Sequence, residues 1–324
     1  MVREWQYWTR NKLRILEGYL PAFNRASTRS PERVYIDLMA GQPENRGADN
    51  GEMFDGSARI ALASDPGFTR LAFCEQEPNA TRLRKDLTAR FPGRSWKVYP
   101  GDCNVTVDRV LADLSDVRWA PTFAFVDQQA REVKWETLAK LATFRKNSRN
   151  LKTELWILAS PAMIAKGVKG TNGDSFAEQV DQLYGTDAWR RIQAARDDRT
   201  ISAANYRDEM VNLLRWRLEK QLGYAMTARI PMNMPTRMPI YDMVFATDHW
   251  VGNKIMSDLY LAAAQREPRM LAEAKDRAAR KREQKLGLFP LFEVDVDVDE
   301  LPAGALAWTP TPCWDPESRP WWAS

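Results

Sequence analysis

The chain has 324 residues, 44% hydrophobic and 28% charged, which suits one large α/β domain or two small ones. Its 47 basic and 43 acidic side chains are interspersed and leave a formal charge of +4, so nucleic-acid contact is permitted but not required. Three cysteines far apart in sequence exclude a disulfide framework, and a single histidine excludes a zinc signature.

The N-terminal stretch has scattered charges and no apolar core, and no run approaches the roughly 18 apolar residues of a membrane span. A cytoplasmic protein without a membrane partner is expected. From Trp5 to about Ala26, Leu13, Leu16, Leu20 and Phe23 fall at helical spacing. Five short apolar runs then read as strands: Val34–Leu38, Leu71–Cys74, Trp96–Tyr99, Thr122–Val126 and Glu154–Leu158. Between the first two, residues 41–57 are rich in Gly, Asn and Asp and read as irregular loop, with Ser57 capping a short helix. Helical segments follow Pro78, Asp102 and Lys134. Residues 161–200 lack a strand pattern and read as an insertion of short helices over the cleft. An amphipathic helix from Tyr206 ends at Gly223, and an antiparallel pair, Tyr224–Ile230 and Ile240–Ala246, follows. A charged helix after Val251 completes a domain spanning 1–287. The remaining 288–324 form a tail rich in Trp and Pro, expected to pack on the body or on a partner.

Ligands of open α/β sheets bind beyond the carboxyl ends of the strands. Asp37, Glu75, Asp102 and Asp127 stand at four such ends, which points to one crevice and one polar ligand. The order of elements predicts a Rossmann-like class I methyltransferase fold: a mostly parallel seven-stranded sheet with an antiparallel last strand and helices on both faces. A dinucleotide oxidoreductase would place G-x-G-x-x-G after its first strand; here the first strand runs into D-L-M-A-G-Q-P. S-adenosylmethionine (SAM), a sulfonium with an α-amino group, is therefore the expected cofactor. Asp37 with Ala40 and Gly41 would hold its amino-acid moiety. Glu75, with Gln76 beside it, would accept from the ribose hydroxyls, and Asp102 with Cys103 would meet the adenine amine. Glu77 competes with Glu75 for the ribose. Asp127 and Gln128 would face the transferring methyl and the acceptor. Each acid taken singly also reads as a turn or helix cap. Cys103 reads as a buried filler rather than a nucleophile. His249, the lone imidazole, is a candidate general base, with structural hydrogen bonding at a sheet edge as the alternative.

The segments KLRILEGYLPAF, YIDLMAGQPENRG, GSARIAL, FCEQEPN, GDCN, FAFVDQQ, VKWETLAKLA and MVFATDHWVGNKIM resemble, in that order, the three-Cys-motif partner family (TcmP). The resemblance implies SAM binding by Asp37, Gly41, Glu75 and Asp102. It also brings Arg46, Gly56 and Ser57 into the cleft, singles out His249, and implies a three-cysteine partner of radical-SAM type. It supplies no acceptor, which stays open between a small molecule and a macromolecule, nucleic acid included. Two departures stand out. Met39 and A-G-Q-P replace the family's phenylalanine and glycine-rich turn, and D-Q-Q-A replaces D-P-x-G after the fourth strand. Lacking the prolines and the aromatic of a base-amine methylation loop, D-Q-Q-A disfavours that chemistry. A non-catalytic SAM- or nucleoside-binding partner is the alternative function.

Overall fold

In the computed structural model, residues 4–48, 51–233, 239–285, 311–316 and 318 are described. Seven strands form one sheet. β2 (Val34–Asp37), β5 (Arg70–Glu75), β6 (Trp96–Pro100), β7 (Thr122–Val126) and β8 (Glu154–Ala159) run parallel. β9 (Met226–Asn233) and β10 (Pro239–Thr247) complete it in the order β6-β5-β2-β7-β8-β10-β9, with β10 antiparallel to both neighbours. Setting aside the small sheet described below, this is the order 3-2-1-4-5-7-6 with a reversed seventh strand, the Rossmann-like architecture expected from the sequence.

Strand parity sorts the core into two layers. Val34, Ile36, Ala72, Ala124 and Val126 point to an aliphatic layer with α4 (Cys103–Asp113), α5 (Trp135–Phe144) and α9 (Ala203–Lys220). The alternate residues Tyr35, Phe73, Phe123, Phe125 and Trp156 point to an aromatic layer. That layer is covered by α1 (Tyr7–Ala26), α2 (Ser57–Ala63), α3 (Asn79–Arg90) and α10 (Trp250–Lys285). Both faces being covered explains why the parallel strands read as unbroken apolar runs.

Two expectations are corrected. The loop after β2 is not wholly irregular: β3 (Glu44–Gly47) and β4 (Met53–Asp55) pair antiparallel, and β1 (Glu4–Trp5) adds to β3 in parallel. Such short strands carry little local signal, and one partner comes from forty residues away. Ser57 is the first helical residue of α2, with Gly56 at the cap position. The insertion, α6 (Pro161–Val168), α7 (Gly173–Tyr184) and α8 (Trp189–Asp197), packs into the aliphatic layer through Ile164, Val180, Tyr184, Trp189 and Ile192, and α7 touches the loop after β7, where the Arg131 guanidinium lies 3.8 Å from the Phe176 ring. No helix among the described residues is long and apolar enough to cross a membrane.

Most of the tail from 288 onward, including the alternating VDVDVDE stretch, Trp308, Trp321 and Trp322, lies outside the described residues. Residues 311–316 dock along α9. The Asn212 side chain bonds both the N–H and the C=O of Trp314, at 2.9 and 2.8 Å. The indole of Trp314 donates to Glu209 at 2.9 Å, and Arg215 donates to the carbonyl of Thr311 at 2.6 Å. Cys313 donates to Glu219 at 2.9 Å, and burial with that bond pushes its thiol up to about 11, the state of an inert cysteine.

Candidate functional site

Asp37 and Glu75 close their strands at positions of the same parity as Tyr35 and Phe73, so both turn toward the aromatic layer at the carboxyl rim. Asp37 is fully buried; its carboxylate accepts from Met39 N at 3.1 Å and from the Tyr35 hydroxyl at 3.2 Å. Burial pushes its carboxyl up to about 7, with the negative charge of Asp127 adding to the rise and bonds from Ser57, Met39 and Tyr35 opposing it. A group so placed is relieved by a nearby cation.

Glu75 reaches across to the turn after β2, accepting from Gly41 N at 2.6 Å and from the Gln76 N–H at 3.1 Å. Gly41 holds φ +64°, a left-handed conformation that favours glycine, and a Cβ there would meet only the Met39 carbonyl at 3.9 Å. The space before this turn is open to close approach. Glu77 accepts from the amide and hydroxyl of Thr81, at 3.2 and 3.1 Å, whereas Glu75 is the one turned to the loop after β2.

Asp102 is the N-cap of α4, accepting from Asn104 N at 2.8 Å and Asn104 Nδ2 at 2.9 Å, so the capping reading is realised there. Cys103 is buried beneath it, its thiol pushed up to about 12 by burial, and so is no nucleophile. Ser57 is buried against the turn, 3.4 Å from the carbonyl of Ala40. Arg46 is exposed on the small sheet and donates to the Gly51 carbonyl at 3.3 Å, and Gln76 is likewise exposed.

Asp127, just beyond β7, meets a residue that the sequence reading missed. Lys12 of α1 places its ammonium 2.5 Å from both carboxylate oxygens; its side chain is 5% exposed and that of Asp127 25%. The same ammonium lies 5.6 Å from the Tyr241 ring and 6.0 Å from that of Phe125. A signal existed: Lys12 is spaced with Leu16, Tyr19 and Phe23 along the apolar stripe of α1, a charged residue on a buried face. Gln128 is buried, with Nε2 donating to Leu158 O at 3.1 Å and Oε1 accepting from Val133 N at 3.2 Å. Its amide clamps the β7 loop to β8, which removes it from the catalytic set. Beyond it, the Gln129, Ala130 and Arg131 N–H groups converge on Glu132 at 3.1, 2.9 and 3.0 Å.

His249 is corrected as well. Because β10 runs antiparallel, its end lies with the beginnings of β7 and β8, on the rim opposite Asp127. His249 caps α10 there, its Nδ1 accepting from Val251 N at 3.2 Å.

A cavity of about 450 Å³ opens behind the turn, lined by Gln42, Pro43, Glu44, Arg59, Arg82 and Asp86 among others. None of the rim acids lines it. Arg59 is fixed there by Asp86, Glu44 and Asp55.

No protein-family model and no curated protein matches the chain. Among solved structures, it is similar to a Legionella pneumophila protein of the DUF519 family model: 11% identity, covering 78% of this chain and 90% of that one, TM-score 0.43. It is also similar to M. jannaschii TYW2, solved in complex with AdoMet: 13% identity, 71% and 75% coverage, TM-score 0.32. The fold assignment rests on the strand order itself, which is methyltransferase-like.

Proposed function

We propose that the chain is a SAM-dependent methyltransferase of the three-Cys-motif partner type, acting on a small-molecule or macromolecular acceptor. The observation that carries this reading is the row of carboxylates, Asp102, Glu75, Asp37 and Asp127, along the adjacent strands β6-β5-β2-β7 at one rim. The donor set suits the cofactor. A buried carboxyl held near 7 gains by meeting an ammonium or sulfonium, the open turn at Gly41 admits a backbone-hugging ligand, and Glu75 and Asp102 are acceptors for hydroxyl and amine groups. When bound, SAM supplies an electrophilic methyl group. The protein's own part is alignment of the acceptor and exclusion of water. Lys12 is a positioning residue that fixes Asp127, and Asp127 orients the acceptor or takes its proton.

A second reading, a non-catalytic SAM- or nucleoside-binding partner of a three-cysteine protein of radical-SAM type, is favoured by one observation. Lys12 already neutralises Asp127, and Gln128 is spent on the backbone, so the loop offers little free basicity.

Calorimetric titration with SAM tests both. The wild type binds, and Glu75→Gln and Asp37→Asn each weaken binding about tenfold or more, the loss of a charge-assisted contact. Absence of wild-type binding, or unchanged affinity in both variants, removes both readings. Binding without transfer to any acceptor, together with co-purification of a three-cysteine protein, selects the second.

A further inference from the structure

We infer that the helical insertion carries a phosphate-binding site where the C-terminal ends of α6 and α8 meet. A cavity of about 420 Å³ opens there, lined by Lys166, Lys169, Gln193, Arg196, Asp197 and Arg199 among others. Lys169 pairs with Asp197 at 2.6 Å. Among the described residues, no ion pair within 4.0 Å involves Lys166, Arg196 or Arg199. Basic residues at helix C-termini ordinarily answer the dipole, but the charges here exceed that need. Two helix ends contribute roughly half a negative charge each and Asp197 a full one, against four cations; with Asp198 at the cap of α8, just outside the lining, about one to two positive charges remain in one concavity. Such mutual repulsion is relieved by an anion.

The second observation concerns Gln193, which is 5% exposed and lines the same cavity. Its Nε2 donates to Asp197 at 3.0 Å, while its buried Oε1 has no hydrogen-bond partner. A buried acceptor without a donor is unfavourable, and a ligand that brings an N–H or O–H group into the cavity satisfies it once the Gln193 amide turns outward. Phosphate beside a hydroxyl or amine is the chemistry of a nucleotide, free or within a strand. This site shares no residue with the rim acids and does not depend on the methyl-transfer reading.

The test uses the full chain, with a labelled twelve-nucleotide single-stranded RNA followed by fluorescence anisotropy and AMP followed by calorimetry. Arg196→Ala/Arg199→Ala and, separately, Lys166→Glu are compared with the wild type after circular dichroism confirms an unchanged fold. The wild type binds at low salt. The double variant loses about tenfold or more in affinity, and its log–log salt slope falls by about 1.4, roughly 0.7 for each phosphate contact removed. Loss of AMP binding in the same variants identifies a free nucleotide as the ligand, and loss confined to RNA identifies a strand; either supports the site. Absence of binding to both probes, or binding unchanged in both variants, overturns it.

Discussion

Both rims of the parallel sheet bury carboxylates, yet they satisfy them differently. At the amino rim, Glu154 accepts from the Tyr19 hydroxyl at 2.5 Å and the Thr247 hydroxyl at 2.7 Å. Asp248 accepts there from the amides of Lys152 and Ala225 at 2.8 and 3.0 Å. These donors come from separate elements, so the acids staple the fold. At the carboxyl rim the donors are mostly backbone amides of the loops that follow the strands, Glu75 and Asp127 stay partly exposed, and Asp37 sits near its neutral state. A carboxylate closed off by donors from separate elements, as Glu154 is, stabilises; one cradled by its own rim loops and partly exposed, as Glu75 is, is of the kind a ligand can reach, while Asp127 stands between the two, exposed in part but held by Lys12.

The largest effect expected from this contrast belongs to Glu154→Ala. Removing the shared acceptor leaves the Tyr19 and Thr247 hydroxyls unpaired in the core, where each such group costs about 1–3 kcal/mol. Urea titration should show a loss of roughly 3–5 kcal/mol, with SAM affinity of the folded fraction unchanged. A loss below about 1 kcal/mol would erase the distinction between the rims.

Asp37 should behave in the opposite sense. Its folded value near 7 stands above the ordinary 3.8, so the folded state holds the proton more tightly than the unfolded chain does. The stability it contributes is complete below about pH 4 and is lost as pH rises through 7. Asp37→Asn escapes that loss and should be more stable than the wild type at pH 8, by up to roughly 4 kcal/mol, while gaining nothing at pH 4. The same variant should bind SAM less well. A stability gain joined to a ligand loss is the signature of a group kept for binding, and denaturation at the two pH values checks it.

Lys12→Ala leaves Asp127 without its cation in a half-buried setting. A loss of about 1–3 kcal/mol is expected, less than for a fully buried pair because Asp127 can reach water. Lys12→Arg should recover part of it, since the guanidinium keeps the charge but not the compact fit between the Tyr241 and Phe125 rings. Melting temperatures of the two variants distinguish lost charge from lost shape.

How much of this was legible beforehand follows from where each signal resides. The five parallel strands announced themselves because burial on two faces makes continuous apolar runs, and Thr122–Val126 was placed at its observed bounds. Asp37, Glu75 and Asp127 followed from their position after those runs. The small sheet escaped because β3 and β4 are three or four residues long with no apolar alternation, and its third strand comes from Glu4 and Trp5, forty positions away. Lys12 escaped because a helical stripe is marked by its apolar members, and a lone lysine among them carries no periodic signal of its own. Gln128 and His249 are of types that permit chemistry, but their surroundings use them otherwise: the amide is consumed by two backbone groups, and the imidazole caps a helix. Residue type is local information, whereas availability depends on the neighbours brought in by topology.

His249 gives the smallest expected effect and the sharpest check on the contrast between rims. As N-cap of α10 it satisfies one amide, so His249→Ala should cost about 0.5–1 kcal/mol, the range of a lost cap on a surface helix. His249→Asn restores an acceptor at the same position and should return most of that. Neither substitution should change SAM affinity or any rate of methyl transfer, because antiparallel β10 delivers this imidazole to the amino rim, a strand's length from Asp127. A pH–rate profile lost in His249→Ala, with stability intact, would mean that acceptor chemistry takes place at the rim where Glu154 and Asp248 are already satisfied.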